Sequence, residues 1–367
     1  MSVTPRSGAS IPTPVSGVNA IERLSEAGGE RRGLVPLDRN ERLSPLPDAV
    51  IEELRAGISS DLLTEYPILD DAYAALQEAV GQPRERLLLT SGSDAAFKAI
   101  YQCYARPGDR VVMLSPTYAM YEVYARMFEA QPVAVPIEDD LTLNGERLLD
   151  EIAPDTRLVL LASPNQPTGT VLSPELLAAV IDRAADAGAL VLVDEAYFPF
   201  SDATLLPQIE SSPNLVVTRT FSKAWGLAGA RLGFAAADPE VVHTLYKVRS
   251  VYDITALSAQ CLRVLLAHPE VATDYVAEVD AGRQLLVSRA SPAGLEPVPC
   301  PTNFLPIRVA PRIDPAALVA ALEERGYIVK GPFGAPCLRD FIRVTLGPPA
   351  LMSEFADALD QALDAPA

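Results

Sequence analysis

From residue 48 onward, apolar residues recur in two alternating rhythms. Segments 48–58, 69–80, 93–105, 118–129 and 173–188 place them every three to four positions. That spacing predicts helices with one buried stripe. In 93–105 the stripe is Ala96, Phe97, Ile100, Tyr101 and Tyr104. Gly81 stops the second of these helices, and Ser173 caps the last ahead of Pro174. Between them lie short apolar runs at 86–90, 110–114, 132–137, 157–163, 189–197 and 214–222. LVLLA and LVLVD are apolar at every position, as strands covered on both faces must be. The alternation predicts a largely parallel sheet with helices on both sides.

The flanks read differently. Residues 1–17, rich in Ser, Thr, Pro and Gly, predict a mobile arm. Residues 18–36 predict partial helix, and 37–47 an extended crossing. One long helix is predicted from about 258 to 290. A βαβ-like tail follows, with strands at 303–309, 327–331 and 341–347 and helices at 314–326 and 351–363. The division expected is an arm (1–44) packing with a small domain, a large domain (45–255) and a small C-terminal domain (256–367).

Composition narrows the chemistry. Among 367 residues, 30 Lys and Arg stand against 48 Asp and Glu, a net charge of −18. Such a surface repels nucleic-acid backbones and anionic membranes, so neither is an expected partner. No apolar run is long enough to span a bilayer, and the N-terminus lacks the apolar stretch of a secretory signal. A cytoplasmic protein is expected. The two histidines, His243 and His268, both lie in apparent helical stretches and read as surface or packing residues. Cys103, Cys261, Cys300 and Cys337 have no metal-binding or redox-pair spacing and read as free thiols. With histidine, metal and disulfide chemistry poorly served, an organic cofactor becomes the better candidate.

Five segments carry that chemistry. In SGSDAA (91–96) a strand turns into a helix whose first N–H groups could bind phosphate; a plain turn capped by Ser93 or Asp94 fits equally. In SPTYAMY (115–121), Tyr118 opens a helix at the sheet edge where open α/β folds bind ligands, and could stack on a flat ligand. Tyr118 and Tyr121 fit helix packing as well. SPNQPTGTVL (163–172) ends a strand with two carboxamides, Asn165 and Gln166. LVLVDEAY (190–197) ends another with Asp194, a buried carboxylate that requires a cation no nearby residue supplies. In RTFSKAWGLAGARLGF (219–234), Lys223 follows a buried strand, where desolvation lowers an amine's pKa and suits it to a Schiff base. Arg231 can contact a phosphate, supported by the hydroxyls of Thr220 and Ser222. A phosphate cup, a stacking ring, an acid for a ring cation, a carboxamide for a phenolate and a lysine for an aldehyde are the requirements of pyridoxal 5′-phosphate.

From LDRNERLSP (37–45) to IRVTLG (342–347) the chain resembles the class I/II aminotransferases of fold type I, within them the histidinol-phosphate aminotransferase group. The resemblance implies a mostly parallel seven-stranded sheet in an αβα sandwich, with a smaller C-terminal α/β domain. It implies catalytic roles for Lys223 and Asp194, and for Tyr197 as donor to the cofactor's phenolic oxygen. It makes Tyr118 the stacking residue and Gly92, Ser93, Asp94, Ser222 and Arg231 the phosphate cup. Tyr66 would reach the cofactor phosphate of a neighbouring subunit, implying a homodimer with shared active sites. Arg343 would clamp the substrate carboxylate, with Asn40 lining the mouth.

The activity implied is transfer of an amino group between an amino acid, or a similar amine, and a 2-oxo acid. A decarboxylase or lyase-type synthase on the same scaffold is the alternative. Three departures bear on substrate. Gln166 stands where the family has Asn before Pro-Thr-Gly, leaving it or Asn165 to meet the phenolic oxygen. Lys330 replaces an arginine that binds substrate phosphate, and the arm lacks its aromatic near Val18 and Asn19. An α-amino acid with a free carboxylate, polar or aromatic, is therefore expected. Arg249 and Asp253 are read as solvated helix-face charges, or else as selectors facing the pocket.

Overall fold

The computed structural model describes residues 16–19, 21, 31 and 33–364. The readings made for 1–15 and 22–30 lie outside the described residues. Twelve strands are found among those described: β1 (Val35–Leu37), β2 (Leu87–Thr90), β3 (Arg110–Ser115), β4 (Gln131–Pro136), β5 (Thr156–Ala162), β6 (Leu190–Asp194), β7 (Leu215–Thr220), β8 (Gly233–Ala237), β9 (Glu296–Pro297), β10 (Phe304–Arg308), β11 (Tyr327–Val329) and β12 (Phe341–Thr345).

Seven of them form the main sheet in the order β2-β8-β7-β6-β5-β3-β4. From β7 to β4 every pair is parallel, while β8 runs antiparallel to both β2 and β7. Successive strand residues point to opposite faces. Leu89, Val112, Val159, Val191 and Val193 accordingly join one apolar cluster, while Leu88, Val111, Leu158, Leu160 and Leu192 join another. Helices cover both clusters, so strands apolar throughout are what this sheet requires. The periodicity does not reveal β8. Its Gly-Phe-Ala-Ala-Ala lacks the β-branched signature, and its first residue has no room for a side chain: a Cβ on Gly233 would stand 2.6 Å from the Ser93 nitrogen.

The tail is not a βαβ unit. β10 lies antiparallel between β9 and β12, and β11 leaves its sequence neighbours to pair in parallel with β1. A single bridge, Lys330 to Arg343, joins the two small sheets. Helices Glu270–Ala290, Pro315–Glu324 and Pro349–Asp364 bury their apolar faces against them.

The long helix predicted from 258 is two helices, Ala256–Ala267 and Glu270–Ala290. Pro269 cannot donate to the preceding turn, and the helix breaks there. His268 is thus at the break, not within a helix; its ring bonds Glu53 (2.8 Å) and Glu270 (2.9 Å). Packing changes partner just beyond. Leu262, Leu265 and Val271 belong to the main-sheet cluster, whereas Ala272, Tyr275 and Val279 belong to the small-region cluster. Helix Ala256–Ala267, expected in the small domain, therefore packs with the large sheet. The arm divides too: β1 joins the small region, while the Gly17 nitrogen bonds Glu129 of the large one (3.2 Å).

Candidate active site

The parallel strands end along one edge, and most of the candidate residues gather there. Asp194 closes β6, is 5 % exposed, and is in register with Ala162 of β5 and Thr218 of β7. Its Oδ1 accepts from the Thr218 hydroxyl (3.0 Å) and its Oδ2 from the Tyr121 hydroxyl (3.3 Å). Both donors are neutral, and among the described residues no cation stands within salt-bridge distance. Burial pushes the Asp194 carboxyl up to about 7, against the pull of the two hydrogen bonds.

Tyr121 meets Tyr118 and Phe97 edge-on, at ring distances of 5.8 and 5.0 Å. Tyr118 starts the helix Ala119–Met127. Its hydroxyl lies 3.5 Å from an Asp94 carboxylate oxygen, and the other oxygen accepts from Tyr124 (2.7 Å). The Asp94 side chain is thus used to brace the tyrosines, which leaves only its backbone to face the cup. The cup is tight. Gly92 has φ +77°, and a Cβ there would stand 2.8 Å from the Arg231 guanidinium. Ser93 begins the helix Ser93–Tyr104 directly after Gly92. The Thr220 hydroxyl accepts from the Ser222 nitrogen (3.1 Å) and contacts Ser222 Oγ (3.0 Å), so it supports Ser222 from beneath.

Lys223 is half-buried. Its Nζ donates to the carbonyls of Arg39 and Asn40, each at 3.1 Å. Loss of hydration pulls its pKa from 10.5 to about 8, helped by the positive charges of Arg343 and Arg231 and opposed by Glu41 and Asp194. Tyr197, fully enclosed, accepts from Asn40 Nδ2 at 2.8 Å. Burial pushes its phenol up, against the Arg343 charge and the Asn40 bond.

From the small region, Arg343 on β12 is 3 % exposed. Nη2 donates to the Asp38 carbonyl (2.7 Å), while Nε and Nη1 are buried without partners. The bridge sets Lys330 directly opposite Arg343. Their burial differs, however: Arg343 is enclosed, whereas Lys330 is exposed. Of the two carboxamides left open by the sequence, Asn165 is committed to the fold. It donates to the Pro116 carbonyl and Thr168 (2.9 Å each) and accepts from Thr117 (2.7 Å). Gln166, half-buried, makes no hydrogen bond to the described residues.

Tyr66 is not brought to this group. It is 73 % exposed and stacks on Tyr252 with ring centroids 4.0 Å apart. Neither reading of Arg249 and Asp253 holds. Arg249 donates to the Leu89 carbonyl (2.9 Å) and Asp253 accepts from the Ser91 nitrogen (3.3 Å), so both fasten the chain leading into the cup. Sequence reasoning missed Thr218 and weighed Tyr121 only as packing. Tyr121 follows Tyr118 by three residues on one helix, a spacing that was legible; the Thr218 contact depends on strand register. No cluster of three or more potential metal ligands occurs among the described residues.

Residues 32–359 match the family model for aminotransferase class I and II. The chain is 33 % identical over 313 residues to a histidinol-phosphate aminotransferase of Thermococcus kodakarensis, covering 85 % of this chain and 88 % of that protein. It is 36 % identical over 323 residues to one from Chromobacterium violaceum, covering 86 % and 89 %. In fold it is similar to the crystal structure of histidinol-phosphate aminotransferase from Sinorhizobium meliloti in complex with pyridoxal 5′-phosphate (TM-score 0.85, 24 % identity, 97 % of this chain and 98 % of that one). It is also similar to aspartate aminotransferase from Thermus thermophilus with maleate (TM-score 0.77, 22 % identity, 90 % and 92 %).

Proposed function

The chain belongs to the aminotransferase class I and II family, and from that premise we propose that it moves amino groups with pyridoxal 5′-phosphate bound at this strand edge. The observation that carries the reading is Asp194, a buried carboxyl served only by neutral donors and facing the half-buried amine of Lys223. The cradle fits the cofactor. Gly92 leaves no room for a side chain beside Arg231, and the helix starting at Ser93, with Ser222 and Arg231, offers donors to a phosphate. Tyr118 would stack on its ring.

When bound, the cofactor supplies an electron sink that eases loss of hydrogen from the amine-bearing carbon. Asp194 holds a proton at the ring nitrogen. Tyr197 accepts from Asn40 and so keeps its own hydroxyl proton to donate to the phenolic oxygen, with Gln166 as the available carboxamide. Lys223, near neutrality, is poised to take and return the substrate proton. Arg343, with two unpartnered nitrogens, receives the substrate's anionic group.

The substrates are an amino acid and a 2-oxo acid. Lys330, a point charge and not a second planar fork, favours a free carboxylate over a phosphate at this end. The unit is a homodimer in the cytoplasm. Tyr66 and Tyr252 stack on each other while both stay exposed, and Ile58, Leu63, Ile68 and Val251 are exposed as well, apolar surface of the kind an interface covers; Tyr66 would reach the partner's site from there.

Borohydride reduction of the loaded protein should fix the cofactor on Lys223, located by peptide mass mapping, and Lys223→Ala should abolish both the label and turnover. A wild-type protein that takes up no pyridoxal phosphate refutes the reading. Comparing kcat/KM for histidinol phosphate with a panel of free amino acids tests the substrate. A preference for histidinol phosphate above ~100-fold, about 2.7 kcal/mol, would overturn the carboxylate assignment.

A further inference from the structure

Asn40 is an unusual residue for a substrate mouth. It is 2 % exposed and held at φ +57°, a conformation that asparagine tolerates better than other non-glycine residues. Every polar atom it has is engaged. Its backbone nitrogen donates to Thr345 Oγ1 (3.0 Å), and Oδ1 accepts from the same hydroxyl (3.4 Å). Nδ2 donates to the Tyr197 hydroxyl (2.8 Å). Its carbonyl accepts both from Asn303 Nδ2 (2.9 Å) and from Lys223 Nζ (3.1 Å). Its anchors come from the small sheet: Thr345 ends β12, and Asn303 immediately precedes β10. The groups it touches on the other side come from the large sheet.

We propose that Asn40 is a positioning residue that fixes Lys223 and Tyr197 relative to each other and ties both to the small sheet. The side-chain amide N–H occupies the Tyr197 oxygen, which forces the phenolic proton to point elsewhere. The left-handed backbone turns the Asn40 carbonyl, with that of Arg39, onto the lysine amine. Arg343 and Thr345 are two apart on β12 and share its inner face, and Arg343 donates to the Asp38 carbonyl (2.7 Å). The strand that receives the substrate's anion therefore also holds the peptide that steadies the lysine.

The inference rests on the cofactor reading, and the experiment separates the two. Wild type that fails to bind pyridoxal phosphate sinks that reading; wild type that binds it leaves Asn40 to be tested alone. Asn40→Gly keeps the left-handed backbone accessible and deletes the amide. Asn40→Asp keeps the shape but turns the donor facing Tyr197 into an acceptor. Folding is checked by circular dichroism and thermal melting. In the cofactor-free protein, competitive acylation of Lys223 across pH reads its titration midpoint. Asn40→Gly should lower that midpoint, as the carbonyls that favour the ammonium drift, and Asn40→Asp should raise it. In the loaded protein, the pH midpoint of the cofactor's visible band should shift in both, and kcat should fall roughly tenfold in Asn40→Gly with KM within about twofold, the scale of one hydrogen bond. Thr345→Val, which leaves Asn40 in place, should move the same midpoints as Asn40→Gly by a smaller amount. Folded variants with both midpoints unchanged would make Asn40 a packing residue and overturn the proposal, whatever kcat does.

Discussion

Asp194 and Glu195 are consecutive buried carboxylates at the end of one strand, 5 % and 3 % exposed, and their surroundings are opposite. Glu195 is paired within the fold. It accepts from Arg219 Nε and the Thr204 hydroxyl (2.9 Å each) and from the Leu205 nitrogen (2.6 Å), while Arg219 lies 3.4 Å over the Phe198 ring. Asp194 receives only two neutral hydroxyls. Alternation along the chain sends the two to opposite faces of the sheet, so one is paired directly with a permanent cation, while the other bonds only hydroxyls and feels the Lys223 amine at longer range. A buried charge with its own counter-ion is part of the scaffold. A buried carboxyl without a directly paired one is a candidate site for a cationic group that binds.

The largest test of this contrast is Asp194→Asn. Loaded enzyme should lose at least ~10³-fold in kcat, about 4 kcal/mol, while cofactor-free protein should keep its fold. Steady-state kinetics and thermal melting check the two halves. Glu195→Gln should do the reverse. By leaving Arg219 buried without its counter-ion, it should cost about 3 kcal/mol of stability in cofactor-free and loaded protein alike, measured by urea unfolding, with kcat per folded molecule nearly unchanged. Equal effects of the two substitutions on stability would erase the distinction.

A third test uses pH. The Asp194 carboxyl is raised from 3.8 to about 7 in the fold. The folded state therefore holds this proton more tightly than the unfolded chain. That stabilisation is complete below about pH 4 and is lost as pH rises through 7, for a total on the order of 4 kcal/mol. Cofactor-free wild type should lose stability relative to Asp194→Asn across that window. A constant difference from pH 4 to 8 would mean that burial does not raise the Asp194 carboxyl in the cofactor-free protein. Smallest is Tyr121→Phe, which removes one of the two hydroxyls. It should push the Asp194 transition further up and weaken cofactor binding by about 1–2 kcal/mol, read from fluorescence titration. Thr218→Val should act in the same sense.

Much of this was written along the chain in local form. The sheet strands, Lys223 in its small-residue loop and the isolated acid at 194 were all legible, because burial demands apolar runs and a polar residue at the end of such a run stands out. The alanine-rich β8 was not, since its small residues carry no β-branched signature; at Gly233 the close approach of the chain around Ser93 leaves no room for a side chain. Pro269 announced the helix break, and the apolar periodicity on either side concealed it.

What the sequence determined by itself is the chemistry on offer: which residue types close each strand, and hence the cofactor class they suit. Only the tertiary structure decided how those residues are shared out. Asn165 and Gln166 are neighbours of nearly equal chemistry, yet three hydrogen bonds commit the Asn165 side chain to the loop, while Gln166 makes none to the described residues. Asn40 meets Tyr197 across 157 positions and Thr345 across 305. Hydrophobic pattern is a local property, repeated every two or every three to four residues. The partner of a buried polar atom is set by strand register and by the meeting of distant segments, and no local pattern encodes that distance.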